Sequence, residues 1–163
     1  MKNGFVVLLS FFSAGLVLLL LFSLPAGAAS PVQGPPPQLP DGPGKAVVEA
    51  VCLPCHGAEV ILPERSVPVW RETLELMKSF GAVATDEEWK TIHSYILSNI
   101  AYLNVNRATA DDFAAVFLID PAAGSGIVAH REKAGGFKTI DELKKAPGLD
   151  AARVDAAKDR ISF

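Results

Sequence analysis

The 163-residue sequence predicts an all-α protein. After residue 44 no stretch sustains the two-residue alternation of a strand, the apolar residues recur at helical spacing, and Ser, Thr or Asp stands at the start of segment after segment. The predicted architecture is a small helical domain over 45–103 and a second helical module over 104–163, preceded by an export segment over 1–28 and a linker over 29–44.

The export segment comes first. Lys2 provides a positive start, Phe5 to Leu24 form an almost unbroken apolar run, and Ala26-Gly27-Ala28 gives the small-x-small pattern of a signal-peptidase site after the helix-breaking Pro25. Cleavage before Ala29 is expected. A run of this length also reaches across a bilayer, so an uncleaved inner-membrane anchor is the alternative. Both place the rest of the chain in the periplasm. Ser30 to Gly44 contains six prolines and little to bury, and is expected to be an extended tether.

Lys45 to Val51 reads as a short helix that runs into Cys52-Leu53-Pro54-Cys55-His56. These two cysteines are the only ones in the chain. C-x-x-C-H is the attachment pattern of haem c: two thiols so spaced each take one vinyl group, and the adjacent imidazole lies beneath the iron. A thioredoxin-like pair needs a βαβ context, and a zinc site needs two more ligands than this stretch offers. A disulfide between Cys52 and Cys55 would close too short a loop to gain much.

A loop over 57–66 and a helix over 67–80 follow, with Val69, Trp70, Leu74, Met77 and Phe80 on the face expected to be buried. Gly81 ends this helix. Thr85 and Glu88 form a capping box for a third helix from Asp86 to about Ile100, which turns Trp89, Ile92, Ile96 and Leu97 inward. Met77 is the only methionine besides Met1. A thioether is the usual sixth ligand of an electron-carrying haem, which makes Met77 the expected partner of His56 on the iron. His93 is the runner-up, and an open sixth site would indicate peroxidase or gas-binding chemistry. Val51, Trp70, Leu74, Ile92 and Ile96 are expected to line the haem pocket.

C-L-P-C-H, the Arg before V-P-V-W, W-R-E-T-L-E-L-M, F-G-A and D-E-E-W-K-T-I-H-S-Y-I together resemble the small monohaem class I cytochrome c domains that accept electrons from periplasmic oxidoreductases. The resemblance implies Met77 as distal ligand and Arg65 near a haem propionate. It also implies a carrier of single electrons with periplasmic redox partners, and no enzyme by itself. With five basic and eight acidic residues over 45–103, such a carrier would be steered to a basic docking patch.

In the second module Thr109 caps a helix to about Leu118, Asp120-Pro121 opens another to about Lys133, and Gly135-Gly136 stops it. Thr139 with Glu142 forms a further capping box, and Pro147-Gly148-Leu149-Asp150 turns into a last helix from Ala151 to Arg160. L-N-V-N-R-A-T-A-D-D-F, I-V-A-H-R-E-K-A-G-G-F-K-T-I-D-E-L, A-P-G-L-D and R-I-S-F resemble the tandem helix-hairpin-helix domain of competence-type DNA receptor proteins. That resemblance implies DNA as a partner, gripped by backbone N–H groups of a Gly-hydrophobic-Gly turn. The first turn here, Leu118-Ile119-Asp120, has no glycine, and the second, Gly148-Leu149-Asp150, keeps one. Nine basic residues balance nine acidic ones over 104–163, and Lys133, Lys138, Lys144 and Lys145 form the one local basic run. The expected function is accordingly that of a periplasmic c-type cytochrome whose second module docks a partner. The alternative is a DNA-binding or DNA-tethering protein with an accessory haem domain.

Overall fold

A computed structural model describes residues 35–62 and 65–163. The export segment and the first part of the linker lie outside the described residues. The all-α expectation holds. The order is α1 (Lys45–Cys52), α2 (Ala58–Ile61), α3 (Val67–Ser79), α4 (Asp86–Asn99), β1 (Leu103–Asn104), α5 (Ala110–Phe117), α6 (Pro121–Ala134), α7 (Ile140–Leu143), α8 (Ala151–Ala157), a 3₁₀ turn (Lys158–Arg160) and β2 (Ile161–Ser162). β1 and β2 pair in parallel, Leu103 opposite Ile161.

The capping box predicted at Thr85 forms, whereas the one predicted at Thr139 forms in half: Thr139 accepts from the Glu142 amide, but the Glu142 carboxylate accepts from the Lys138 amide. Thr85 accepts from the Glu88 amide while the Glu88 carboxylate accepts from the Thr85 amide, and Thr109 and Asp112 repeat this box on α5. Each box satisfies two N–H groups that a helix start otherwise leaves open. The two bonds from Thr85 to its carboxylate hold the Glu88 pKa below the ordinary range.

Residues 35–163 pack as one compact unit. α4 lies at its centre, with Ile92, Tyr95 and Ile96 at most 1% exposed. It packs against α1, α3 and α5. The end of the predicted tether joins this unit instead of extending from it. Leu39 is 3% exposed, and the Tyr95 hydroxyl donates to the Pro40 carbonyl. Burial pushes the Tyr95 phenol up to about 12, so it stays protonated and keeps that bond at physiological pH.

Polar contacts also join the two predicted modules. Arg71 on α3 pairs with Asp112 at 3.2 Å and donates to the Asp111 carbonyl at 3.3 Å. Arg160 donates to the Ser98 and Ala101 carbonyls at the end of α4, which a helix C-terminus leaves without partners. One expected buried face is smaller than its spacing suggests: on α3 Trp70 and Leu74 are buried, while Val69 is 44% and Phe80 76% exposed.

Candidate nucleic-acid interface and candidate haem-binding segment

The second module is built from one pattern used twice at a spacing of 30 residues. Thr109 and Thr139 are N-caps that accept from the amides of Asp112 and Glu142, and Asp120 and Asp150 are N-caps that accept from Ala122 and Ala152. Phe113 and Leu143 are both fully buried, and Ile127 and Ala157 are buried too. The residue that opens each turn, Leu118 and Gly148, is left-handed, at φ 51° and 82°. Glycine takes that conformation freely, whereas a leucine takes it against a steric cost. The first hairpin therefore keeps the backbone of a glycine turn without the glycine.

The two halves also meet in a reciprocal way. A Cβ on Gly148 would lie 3.0 Å from the Ala123 Cβ, and Arg153 donates to the Leu118 carbonyl at 2.8 Å. Leu118 and Gly148 are counterparts in the repeat, as are Ala123 and Arg153. Each turn thus packs on the start of the other half's second helix, the relation of an internal pseudo-twofold. Asn106 fastens the connection between the halves by accepting from the Phe137 amide and donating to its carbonyl, and Arg131 holds the Val105 and Ala108 carbonyls.

Both turns point a carboxylate at their own helix start. Asp120 Oδ1 lies 2.7 Å from the Ala122 amide, and Asp150 Oδ1 lies 2.7 Å from the Ala152 amide. An N-terminal amide that already has a carboxylate partner is not open to a phosphate. The sequence places acidic residues there, and the geometry shows that they cap. Among the lysines of the basic run, Lys133, Lys138 and Lys145 are exposed, while Lys144 is bound to Asp155 at 2.6 Å.

The residues of the C-x-x-C-H segment lie elsewhere. Cys52 ends α1 and is half-buried; Cys55 is exposed; both are free thiols. Burial, with the neighbouring Cys55 second, pushes the Cys52 thiol up. His56 is partly exposed, its Nδ1 3.4 Å from the Gly57 carbonyl. Met77 is partly buried on α3. His93, on α4, faces Glu75 at 3.7 Å, and burial followed by the charge of Lys78 lowers its pKa, so it is neutral at physiological pH. Arg65 and Trp70 do come together: the guanidinium carbon is 5.0 Å from the indole ring centre, within cation–π range. Trp70 is 3% exposed, and its Nε1 is a buried donor with no partner. Among the described residues no three His, Cys, Asp or Glu side chains converge as a metal site would require.

A family model described as the helix-hairpin-helix motif matches residues 98–162. Endonuclease/exonuclease/phosphatase family domain-containing protein 1 of Homo sapiens is 30% identical over 109 residues, which is 67% of this chain and 16% of that protein. The Rattus norvegicus protein of the same name matches to the same extent. ComE operon protein 1 of Bacillus subtilis is 29% identical over 62 residues, 38% of this chain and 30% of that protein. The chain thus spans a minor part of the curated relatives it matches. No solved structure matches it.

These matches overturn the expected function. Neither the family model nor these relatives are named as cytochromes, and the family model matches the hairpin region that the cytochrome reading made an accessory. The expectation of a single-electron carrier with periplasmic redox partners is withdrawn. The substitutions in the two turns suggested a module that had left DNA behind, but they are local changes inside a pattern kept over its whole length. The C-terminal part of the chain carries a helix-hairpin-helix motif.

Proposed function

We propose that the protein binds or tethers DNA through residues 98–162, outside the cytoplasmic membrane. The observation that carries this reading is the repeated hairpin, with its two left-handed turns packed reciprocally, in a region that matches the helix-hairpin-helix motif. The similarity to ComE operon protein 1 and to endonuclease/exonuclease/phosphatase family domain-containing protein 1 supports it, and so does the export signal. The role is binding and not turnover. Because the module is neutral, affinity depends on a few placed cations more than on a general basic field, and it is weak and independent of sequence.

The test is fluorescence anisotropy of a labelled duplex with the exported protein. Binding is expected at about 50 mM salt and is expected to fall steeply by about 200 mM. Lys144→Glu with Lys145→Glu weakens it across all sequences. A duplex that shows no binding at the lower salt overturns the proposal.

A second reading concerns the cofactor and not the role. Cys52 and Cys55 hold one covalent haem c, with His56 and Met77 as the residues that would ligate its iron. Three observations support it: free thiols at this spacing, the partnerless Trp70 Nε1 beside Arg65, and exposed Val60, Val69, Leu76, Phe80 and Val83 in the same segment. A propionate would give the indole donor and the guanidinium a common acceptor. Attachment adds each S–H across a vinyl C=C, with sulfur to one carbon and hydrogen to the other, and needs no oxidant. Mass spectrometry of the protein exported by a host that matures c-type haem is expected to show a gain of one haem, lost in Cys52→Ala with Cys55→Ala. Unmodified thiols in that host sink this reading and leave the DNA reading standing.

A further inference from the structure

A groove runs beside the first hairpin, lined by residues from the end of the linker, α4, α5 and the end of the chain, largely apolar but with two arginines in its lining. Ser94, Ser98, Leu118, Arg153 and Arg160 are among the residues that line it. Leu118 is 52% exposed although its backbone holds a strained left-handed turn. Both arginines are held in place by main-chain carbonyls: Arg153 by Phe117 and Leu118 through one nitrogen, and Arg160 by Ala101 and Ser98 through two. A guanidinium has five N–H donors in a fixed fork, so each keeps donors beyond those bonds. Side chains already immobilised lose little entropy when they take a ligand. The carboxylate in the lining, Asp41, is bound to Lys45 at 2.8 Å.

We propose that a DNA phosphodiester backbone lies in this groove, held by Arg153 and Arg160, and that the Ala122 and Ala152 amides take no phosphate because the Asp120 and Asp150 carboxylates cap them. This rests on the DNA-binding reading and places its contact. Planar forks beside the Ser94 hydroxyl suit phosphate oxygens, whereas the Ser98 hydroxyl already donates to the Ser94 carbonyl, and the groove opens at the turn of the matched motif. It also explains how a module with no net charge engages DNA: two of its nine cations are concentrated in one concavity, where the single carboxylate of the lining, Asp41, is paired with Lys45.

The experiment places a carboxylate in the groove without touching the arginines. Ser94 is exposed on α4, so Ser94→Glu leaves the core intact. Ala129→Glu, exposed on α6 and outside the groove, makes the same change in net charge. Anisotropy at about 50 mM salt is expected to show duplex affinity lower by at least about fivefold for Ser94→Glu and within about twofold of the parent for Ala129→Glu. Arg153→Gln is expected to reduce the slope of log K against log salt by about one, as the loss of one phosphate contact does. If the parent binds and Ser94→Glu behaves like Ala129→Glu, the groove is wrong and DNA binding stands. If the parent does not bind, both fall.

Discussion

Gly124→Ala is expected to destabilise the protein by about 1–3 kcal/mol, the range for overpacking a well-filled interior, although alanine is the better helix former. Two opposing effects meet at this position. A mid-helix glycine costs about 1 kcal/mol against alanine, so propensity alone predicts a gain. A Cβ at Gly124, however, would lie 2.3 Å from the Ala110 carbonyl oxygen and 3.0 Å from its carbon, both main-chain atoms that cannot turn aside. α5 would have to move away from α6, opening the most extensive helix contact of the second module. Gly126 lies in the same helix, and a Cβ there would meet nothing within 4 Å. Gly126→Ala is therefore expected to stabilise by about 0.5–1 kcal/mol. Urea titrations of the two variants beside the parent check the pair. A Gly124→Ala midpoint at or above that of the parent would show that the α5–α6 approach is looser than described.

Gly124 also marks where the sequence stopped being legible. Local physics was readable: the box at Thr85/Glu88, the Thr109 cap, the Asp120-Pro121 start and the Gly135 stop all involve residues within one turn of each other. Contacts between distant segments were not. Nothing in the Pro-rich composition of 30–44 indicated that Leu39 would join the buried core, and a two-residue parallel pair such as β1–β2 is too short to show a period. The exposed Val69 and Phe80 show the converse: helical spacing gave the face, but not how much of it α4 would cover. The 30-residue repeat could have been read by setting Thr109 over Thr139 and Asp120 over Asp150. That alignment would have shown Leu118 as the counterpart of Gly148, and the missing glycine as a substitution within a retained turn. Of the candidate sites, the C-x-x-C-H spacing is complete in the sequence, whereas the Arg153–Arg160 groove joins segments some sixty residues from Ser94 and Ser98 and has no linear signature.

Phe113→Ala is expected to cost about 3–5 kcal/mol, the range for a fully buried aromatic, and to do so for both modules at once. Phe113 is fully buried on α5, with its ring stacked on Phe117 at 6.3 Å between centroids. α5 packs against α6 in its own module and against α4 in the other, and Asp112 beside it pairs with Arg71. One buried cluster runs from Leu39 to Ala157 without a break between the modules. A domain of this size has about 5–15 kcal/mol of stability in total, so a loss of this order brings the whole unit near its threshold. Both tryptophans, Trp70 and Trp89, lie in the first module and report on it alone. In the parent, the fluorescence transition of these tryptophans in urea is expected to coincide with the helical circular dichroism transition. In Phe113→Ala, a change confined to the second module, both are expected to shift together and by the same amount. If the dichroism moves and the tryptophan transition stays where it was, the modules fold independently. The Arg71–Asp112 pair would then be a surface contact between two separate cores, and nothing that happens at Cys52-Leu53-Pro54-Cys55-His56 could be transmitted to the hairpins through the fold.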